Sequence, residues 1–153
     1  MKYWLMKTEP DVFSWDDLTR KKVASWDGVR NYQARNYMRD EFKQGDLVLF
    51  YHSSCPEPGI VGVAKVVREA YPDPTALDPD SEYFDAASAK LGASRWMMVD
   101  VAPVKRFRTL ARLQDIRATS ELKSMLLLRP GQRLSIQPVT EREYTLIVET
   151  WGQ

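Results

Sequence analysis

Leu47-Val48-Leu49-Phe50-Tyr51 and Ile60-Val61-Gly62-Val63-Ala64-Lys65-Val66-Val67 decide how this chain folds. Each is a short, nearly continuous apolar run bounded by turn residues, the pattern of a strand buried on both faces. The loop Cys55-Pro56-Glu57-Pro58-Gly59 between them makes the pair a hairpin. Gly62 inside the second run marks a bulge or a close backbone approach. Gly45-Asp46 supplies the turn that leads into the first run.

Outward from the hairpin, Tyr3-Trp4-Leu5-Met6-Lys7 reads as a first strand stopped at Thr8-Glu9-Pro10, and Trp96-Met97-Met98-Val99-Asp100-Val101 as a later one, followed by the basic Lys105-Arg106-Phe107-Arg108. Leu134 to Val139 alternates like a half-buried strand. Helix starts are marked by capping residues: Ser14 with Asp17 for a short helix through Leu18, Asn31 ahead of Ala34, Tyr37, Met38 and Phe42, and Thr140 with Glu143 ahead of Tyr144, Ile147, Val148 and Trp151. Thr109 could cap a helix carrying Leu110, Leu113 and Ile116, and Ser120 one carrying Leu122, Met125 and Leu126 that ends at Arg129-Pro130-Gly131. Residues 70–95 read as a long excursion with little periodicity, anchored through Tyr83 and Phe84. Short strands mixed with short helices predict an α+β domain, single over residues 1–153, on a curved or closed, mostly antiparallel sheet.

Composition narrows the function. A chain of 153 residues with 44% apolar and 28% charged residues, and a mean hydropathy of −0.44, is ordinary for a soluble globular protein. No apolar run approaches the roughly 20 residues that span a bilayer, and the first residues lack a secretory signal. The expectation is a cytoplasmic protein with no membrane partner. Cys55 and His52 are the sole cysteine and histidine, which is too few for a disulfide or a usual zinc site, so no metal or cofactor is expected. A Cys55–His52 nucleophile competes with a plain loop thiol. Oligomeric state stays open, with a monomer favoured.

The net charge of +1 conceals a polarised chain. Glu69, Asp73, Asp78, Asp80, Glu82 and Asp85 fall in one stretch without Lys or Arg, and removing them would raise the formal charge to about +7. Arg20-Lys21-Lys22, Lys105-Arg106-Arg108, Arg129 and Arg133 carry the basic side. Such runs serve as solvated faces or as contacts to nucleic acid.

Chemistry concentrates in Trp26-Asp27-Gly28-Val29-Arg30-Asn31-Tyr32-Gln33-Ala34-Arg35. Two large rings, a glycine, an amide and a guanidinium on the approach to a helix suit a flat, hydrogen-bonding ring such as a nucleobase. Stacking tolerates any base, so selectivity must come from polar groups at its edge; Asn31, Thr8, Ser53 and Lys7 are candidates. Taking in a base from a duplex requires flipping it. The competing enzymatic reading, a nuclease or base hydrolase, would use the strand-end carboxylates Glu9, Asp27 and Asp46, or Asp100 with Lys105. Nucleophile-elbow, P-loop and dinucleotide fingerprints are all missing. A third reading makes the acidic loop 73–85 a contact surface for a partner.

The ordered set YWLMKTEP (3–10), WDGVRNYQAR (26–35), DLVLFYHSS (46–54), GIVGVAKV (59–66), RWMMVDV (95–101) and RLSIQPV (133–139) resembles the EVE domain over essentially the whole chain, as in a stand-alone bacterial EVE protein. EVE domains belong to the PUA-like superfamily, so the resemblance implies a small β-barrel with flanking helices. It also implies a non-enzymatic reader of a modified base, modified cytosine or similar, flipped out of DNA, with RNA as the alternative partner. By likeness to the kindred YTH domains, Trp26 would be a cage wall. Lys7, Thr8, Glu9 and Asp27 would line the base edge, and Asn31, Tyr32, His52 and Ser53 would complete the pocket. Arg129 falls where YTH domains place a phosphate-contacting arginine, and Arg30 and Arg133 would join it. Trp96 could be a second wall or core.

Overall fold

The hairpin at residues 47–67 lies at the centre of the sheet. The computed structural model describes residues 1–131 and 133–153. Its elements run β1 (Tyr3–Thr8), α1 (Trp15–Lys21), β2 (Ala24–Ser25), α2 (Tyr32–Asp40), β3 (Leu47–His52), β4 (Gly59–Pro72), α3 (Ala86–Leu91), β5 (Met97–Arg112), α4 (Leu113–Arg117), β6 (Ile136–Val139) and α5 (Glu141–Trp151). Short 3-10 turns occupy Pro74–Leu77, Ser120–Leu122 and Leu126–Leu128. The fold is α+β: six strands in the order β2-β5-β4-β3-β1-β6, antiparallel except for β1 with β3.

Strict alternation explains why the apolar runs are continuous. Trp4, Met6, Val48 and Phe50 face one core with Trp15, Leu18, Ala34, Met38 and Phe42 of α1, α2 and the segment after them. Leu5, Leu49, Tyr51 and Ile60 face the other, against Phe107, Ile116, Leu122, Ile147 and Trp151. Both faces of the central strands are therefore dry. Gly62 is the close approach expected: a β-carbon there would come within 2.7 Å of the Lys105 carbonyl and 2.8 Å of the Trp15 ring.

Several expectations need correction. The sheet is curved by register shifts along β4 and β5, but it is not a closed barrel, because β2 and β6 remain as edges. A two-residue β2 offers too few backbone groups to complete a ring. Residues 70–95 are not a featureless excursion, since β4 continues to Pro72 and α3 follows. Thr109 does not cap a helix. Its strand pairs on through Ala111 and Arg112 with Ile60 and Gly59, and α4 starts only at Leu113. The helix expected after Ser120 is two separate 3-10 turns. The caps at Ser14, Asn31 and Thr140 form as read, each side chain accepting a backbone N–H of the first turn.

Candidate functional site

The parallel pairing of β1 with β3 brings two strand exits side by side, with Lys7 opposite Tyr51 and Thr8 opposite His52. The Lys7 N–H also bonds the Ser135 carbonyl on the approach to β6, so three neighbouring segments end along one edge. Above this edge lies a cleft of about 790 Å³, walled on the far side by residues 24–30 and by Glu82 and Tyr83. Lys7, Thr8, Glu9, Ser53, Arg133 and Ser135 line the near side.

Trp26 forms the aromatic wall. It is half-buried, fixed by a bond from its backbone N–H to the Val99 carbonyl at 2.7 Å, and set at right angles to Phe13 (6.1 Å) and Phe50 (5.6 Å). Phe50 anchors it to the core, while Phe13 reaches the cleft from the loop before α1. The chain then turns at Gly28, whose φ is +77°, and a β-carbon there would lie 2.6 Å from the Tyr83 ring. Glycine is needed twice over, for the left-handed backbone and for the room Tyr83 takes.

Arg30 and Asp73 lock these two walls together. Asp73 is fully buried and accepts the Gly28 N–H at 2.9 Å, the Thr75 N–H and hydroxyl, and Arg30 at 3.0 Å. Burial pushes its carboxyl upward, but the hydrogen bonds from Thr75, Gly28 and Arg30 outweigh it and hold the carboxyl below the ordinary range. Arg30 donates further to the Tyr83 and Val29 carbonyls and to the Thr75 hydroxyl, and lies between the rings of Tyr83 and Trp96. Although Arg30 borders the cleft, its guanidinium is occupied internally.

Asp27 stands at the rim beside Trp26. Partial burial first, then the nearby Asp73 carboxylate, raise its pKa against the opposing pull of Arg30 and Lys21. Lys7 is half-buried, and burial lowers its pKa. Thr8 donates its hydroxyl to the Phe13 carbonyl at 2.9 Å, which leaves its oxygen able only to accept from a ligand.

Of the residues named from the sequence, the structure brings Trp26, Asp27, Lys7, Thr8, Glu9, Ser53, Arg30 and Arg133 to this cleft. Asn31, Tyr32, His52 and Arg129 are not among its lining residues. The Asn31 side chain caps α2 through the Ala34 N–H, and Tyr32 stacks on Trp96 at 4.8 Å. His52 accepts the Trp15 N–H at 3.1 Å and so holds the start of α1. Arg129 is exposed beyond the 3-10 turn at Leu126–Leu128. Trp96 is core-like, buried, with its indole N–H bonded to Asp85. The sequence reading assigned Tyr83 to the excursion as an anchor and missed it as a wall of the cleft; its place follows from the small residue Gly28 opposite it.

Of the carboxylates of the enzymatic reading, Glu9 and Asp27 share the cleft and Asp46 does not. Asp46 is buried before the start of β3, at the other end from Glu9 and Ser53, and accepts the Trp4 indole and the Lys2 and Lys43 N–H groups, each at 3.0 Å. Asp100 accepts the Tyr71 hydroxyl, and Lys105 is exposed. The Cys55 thiol points at the His52 carbonyl rather than its ring. Within the acidic stretch, Asp73 and Asp85 are internal ion-pair partners of Arg30 and Arg95, so those two do not form a docking face.

The fold is shared with proteins of known structure. The chain belongs to the EVE family, whose domain model matches residues 2–150. Human thymocyte nuclear protein 1 is 43% identical over 165 aligned residues, covering 95% of this chain and 72% of that protein. A crystal structure of the human protein with DNA containing 5-methylcytosine matches at a TM-score of 0.91 and 40% identity, covering 98% of this chain and 97% of that one. A Pseudomonas syringae protein matches at a TM-score of 0.91 and 49% identity, over 97% and 98% of the two chains.

Proposed function

We propose that this chain is a non-enzymatic reader of modified cytosine in DNA, taking the base out of the stack and into the cleft against Trp26. The observation that carries the reading is the half-buried Trp26, fixed by its backbone and by Phe13 and Phe50 as the aromatic wall of a 790 Å³ cleft. The human relative crystallised with 5-methylcytosine DNA supports the choice of base. A rigid wall loses little entropy when a base stacks on it, and such stacking contributes about 1–3 kcal/mol per base.

The base edge is read by Asp27 with Thr8 and Glu9. Cytosine presents an amino donor beside a ring-nitrogen acceptor. The Asp27 carboxyl, at the rim beside Trp26, accepts from the amino group. The oxygen of Thr8, its proton already committed to Phe13, accepts a second amino hydrogen.

Titrating the protein against one DNA sequence with cytosine or 5-methylcytosine, and against the matching RNA, tests the reading. Tighter binding of the methylated DNA, lost in Trp26→Ala, is the expected result. Equal affinity for both DNAs, unchanged by that substitution, overturns it, and stronger binding of the RNA moves the target from DNA to RNA.

A further inference from the structure

The cleft carries charges of both signs: Lys21, Asp27, Arg30 and Glu82 on the Trp26 wall, and Lys7, Glu9 and Arg133 on the facing one. The arginines elsewhere that form ion pairs are satisfied inside the chain: Arg20 by Asp17, Arg30 by Asp73, Arg39 by Asp40, Arg95 by Asp85, Arg106 by Asp16 and Arg112 by Glu57. Lys7 and Arg133 form no ion pair with any described residue. Lys7 is the more informative of the two. It is half-buried, its ammonium lies 5.9 Å from the centre of the Tyr51 ring, and no carboxylate offsets its loss of water. A half-buried cation without an anion, in a cleft open to solvent, is arranged to receive one.

The neighbours of Lys7 suit a tetrahedral oxyanion. β1 lies between β3 and β6 in the sheet, so Ser53, following β3, and Ser135, preceding β6, flank Lys7 on either side. The Ser53 and Ser135 main chains are tied to Thr8 and Lys7 by bonds of 2.9 and 2.8 Å, which fixes both positions relative to the ammonium. Both serines line the cleft with Arg133. Two cations of different reach and two hydroxyls are the donor set that holds phosphate by charge-assisted hydrogen bonds.

We propose that Lys7, Arg133, Ser53 and Ser135 form a phosphate subsite, so that the cleft takes a nucleotide by its phosphate as well as its base. This rests on the reading of the Trp26 end as the base site, and it moves Lys7 from the base edge to the backbone. A nucleotide then lies along the cleft with its base at the Trp26 end, beside Asp27, and its phosphate between Lys7 and Arg133.

The test uses three probes: 5-methyl-2′-deoxycytidine, its monophosphates, and a single-stranded oligonucleotide containing the same base. The wild-type protein should bind the monophosphate carrying its phosphate on the correct side about tenfold more tightly than the nucleoside, the scale of one charge-assisted contact. Lys7→Met, which keeps the length of the stem, should remove that difference and leave nucleoside affinity unchanged. Lys7→Arg should restore most of it. Arg133→Ala, at an exposed position where folding is not at stake, should act in the same direction. For the oligonucleotide, each loss should lower the slope of log affinity against log salt by about 0.7. A Lys7→Met protein that loses nucleoside and monophosphate binding equally would overturn the proposal, because Lys7 would then read the base. So would an unchanged salt slope in both variants. If cytosine and 5-methylcytosine probes bind alike while the slopes still fall, the base reading fails and the phosphate subsite stands.

Discussion

Trp26 and Trp96 have similar surroundings in composition and opposite fates. Each has an aromatic neighbour and arginines nearby, and each lies close to Arg30 along the chain or in space. Trp96 is closed in on every side that matters: Tyr32 stacks on it, Arg30, Arg35 and Arg95 approach its ring within 6 Å, and its N–H is bonded to Asp85 at 2.9 Å. Trp26 is gripped at right angles by two phenylalanines, its indole N–H bonds no described residue, and it borders the cleft. The fold fixes the position of Trp26 without satisfying its polar edge, and that leaves the ring open to the cleft. Asp85 decides the matter for Trp96. Hydrogen bonds from Arg95 first, then Ser88, with Trp96 itself, hold that carboxyl well below the usual range, so the anion is a permanent partner.

The contrast can be broken from either side. Trp96→Ala should have the largest effect, a loss of about 3–5 kcal/mol of folding stability, since it empties a buried site and leaves Asp85 and the stacked arginines without their ring. Chemical denaturation measures it, and a loss under 1 kcal/mol would mean that Trp96 is not structural. Trp26→Ala should do the reverse: modest destabilisation, but a loss of about 1–3 kcal/mol in affinity for DNA carrying the modified base, read by titration. Gly28→Ala sits between the two. It forces a side chain into the left-handed region and against Tyr83, so it should cost about 1–3 kcal/mol of stability and weaken binding by displacing the cleft wall. Full affinity in Gly28→Ala would show that Tyr83 is not needed where it stands.

What the sequence shows and hides follows from the same physics. The central strands were legible because both faces are buried and every residue from Val48 to Tyr51 is apolar. The far halves of β4 and β5 were not, because bulges break their alternation and Pro72 and Pro103 imitate ends. Trp26 was legible through its small and polar neighbours. Asn31 and Tyr32 are near Trp26 along the chain, but after the turn at Gly28 they go to the α2 cap and the Trp96 stack. Tyr83 lies 55 positions beyond Gly28, and only the tertiary packing of the two reveals it. The barrel was carried over from family likeness, and the sheet is not closed, as β2 and β6 remain edges.

The smallest effect concerns His52, which the sequence placed in the pocket and the structure places under α1. Its Nε2 accepts the Trp15 N–H, a role only the neutral ring can fill. Burial first, then the charge of Arg106, lower its pKa below the ordinary value near 6.5, with Asp16 opposing. The unfolded chain therefore takes up a proton at His52 before the folded one does. Above about pH 6.5 both states are neutral and the full stability is present; as pH falls through 6.5 the unfolded state gains, and the loss continues until the folded pKa is passed. Thermal melts from pH 8 to 5 should show a decline with this component, and His52→Gln, whose amide oxygen accepts the same N–H without titrating, should flatten it. If the variant keeps the wild-type slope, another group carries the pH dependence. If instead His52→Gln leaves stability alone but weakens binding of DNA carrying the modified base, His52 belongs with Trp26 after all, and the boundary drawn between cleft and scaffold moves by one strand position.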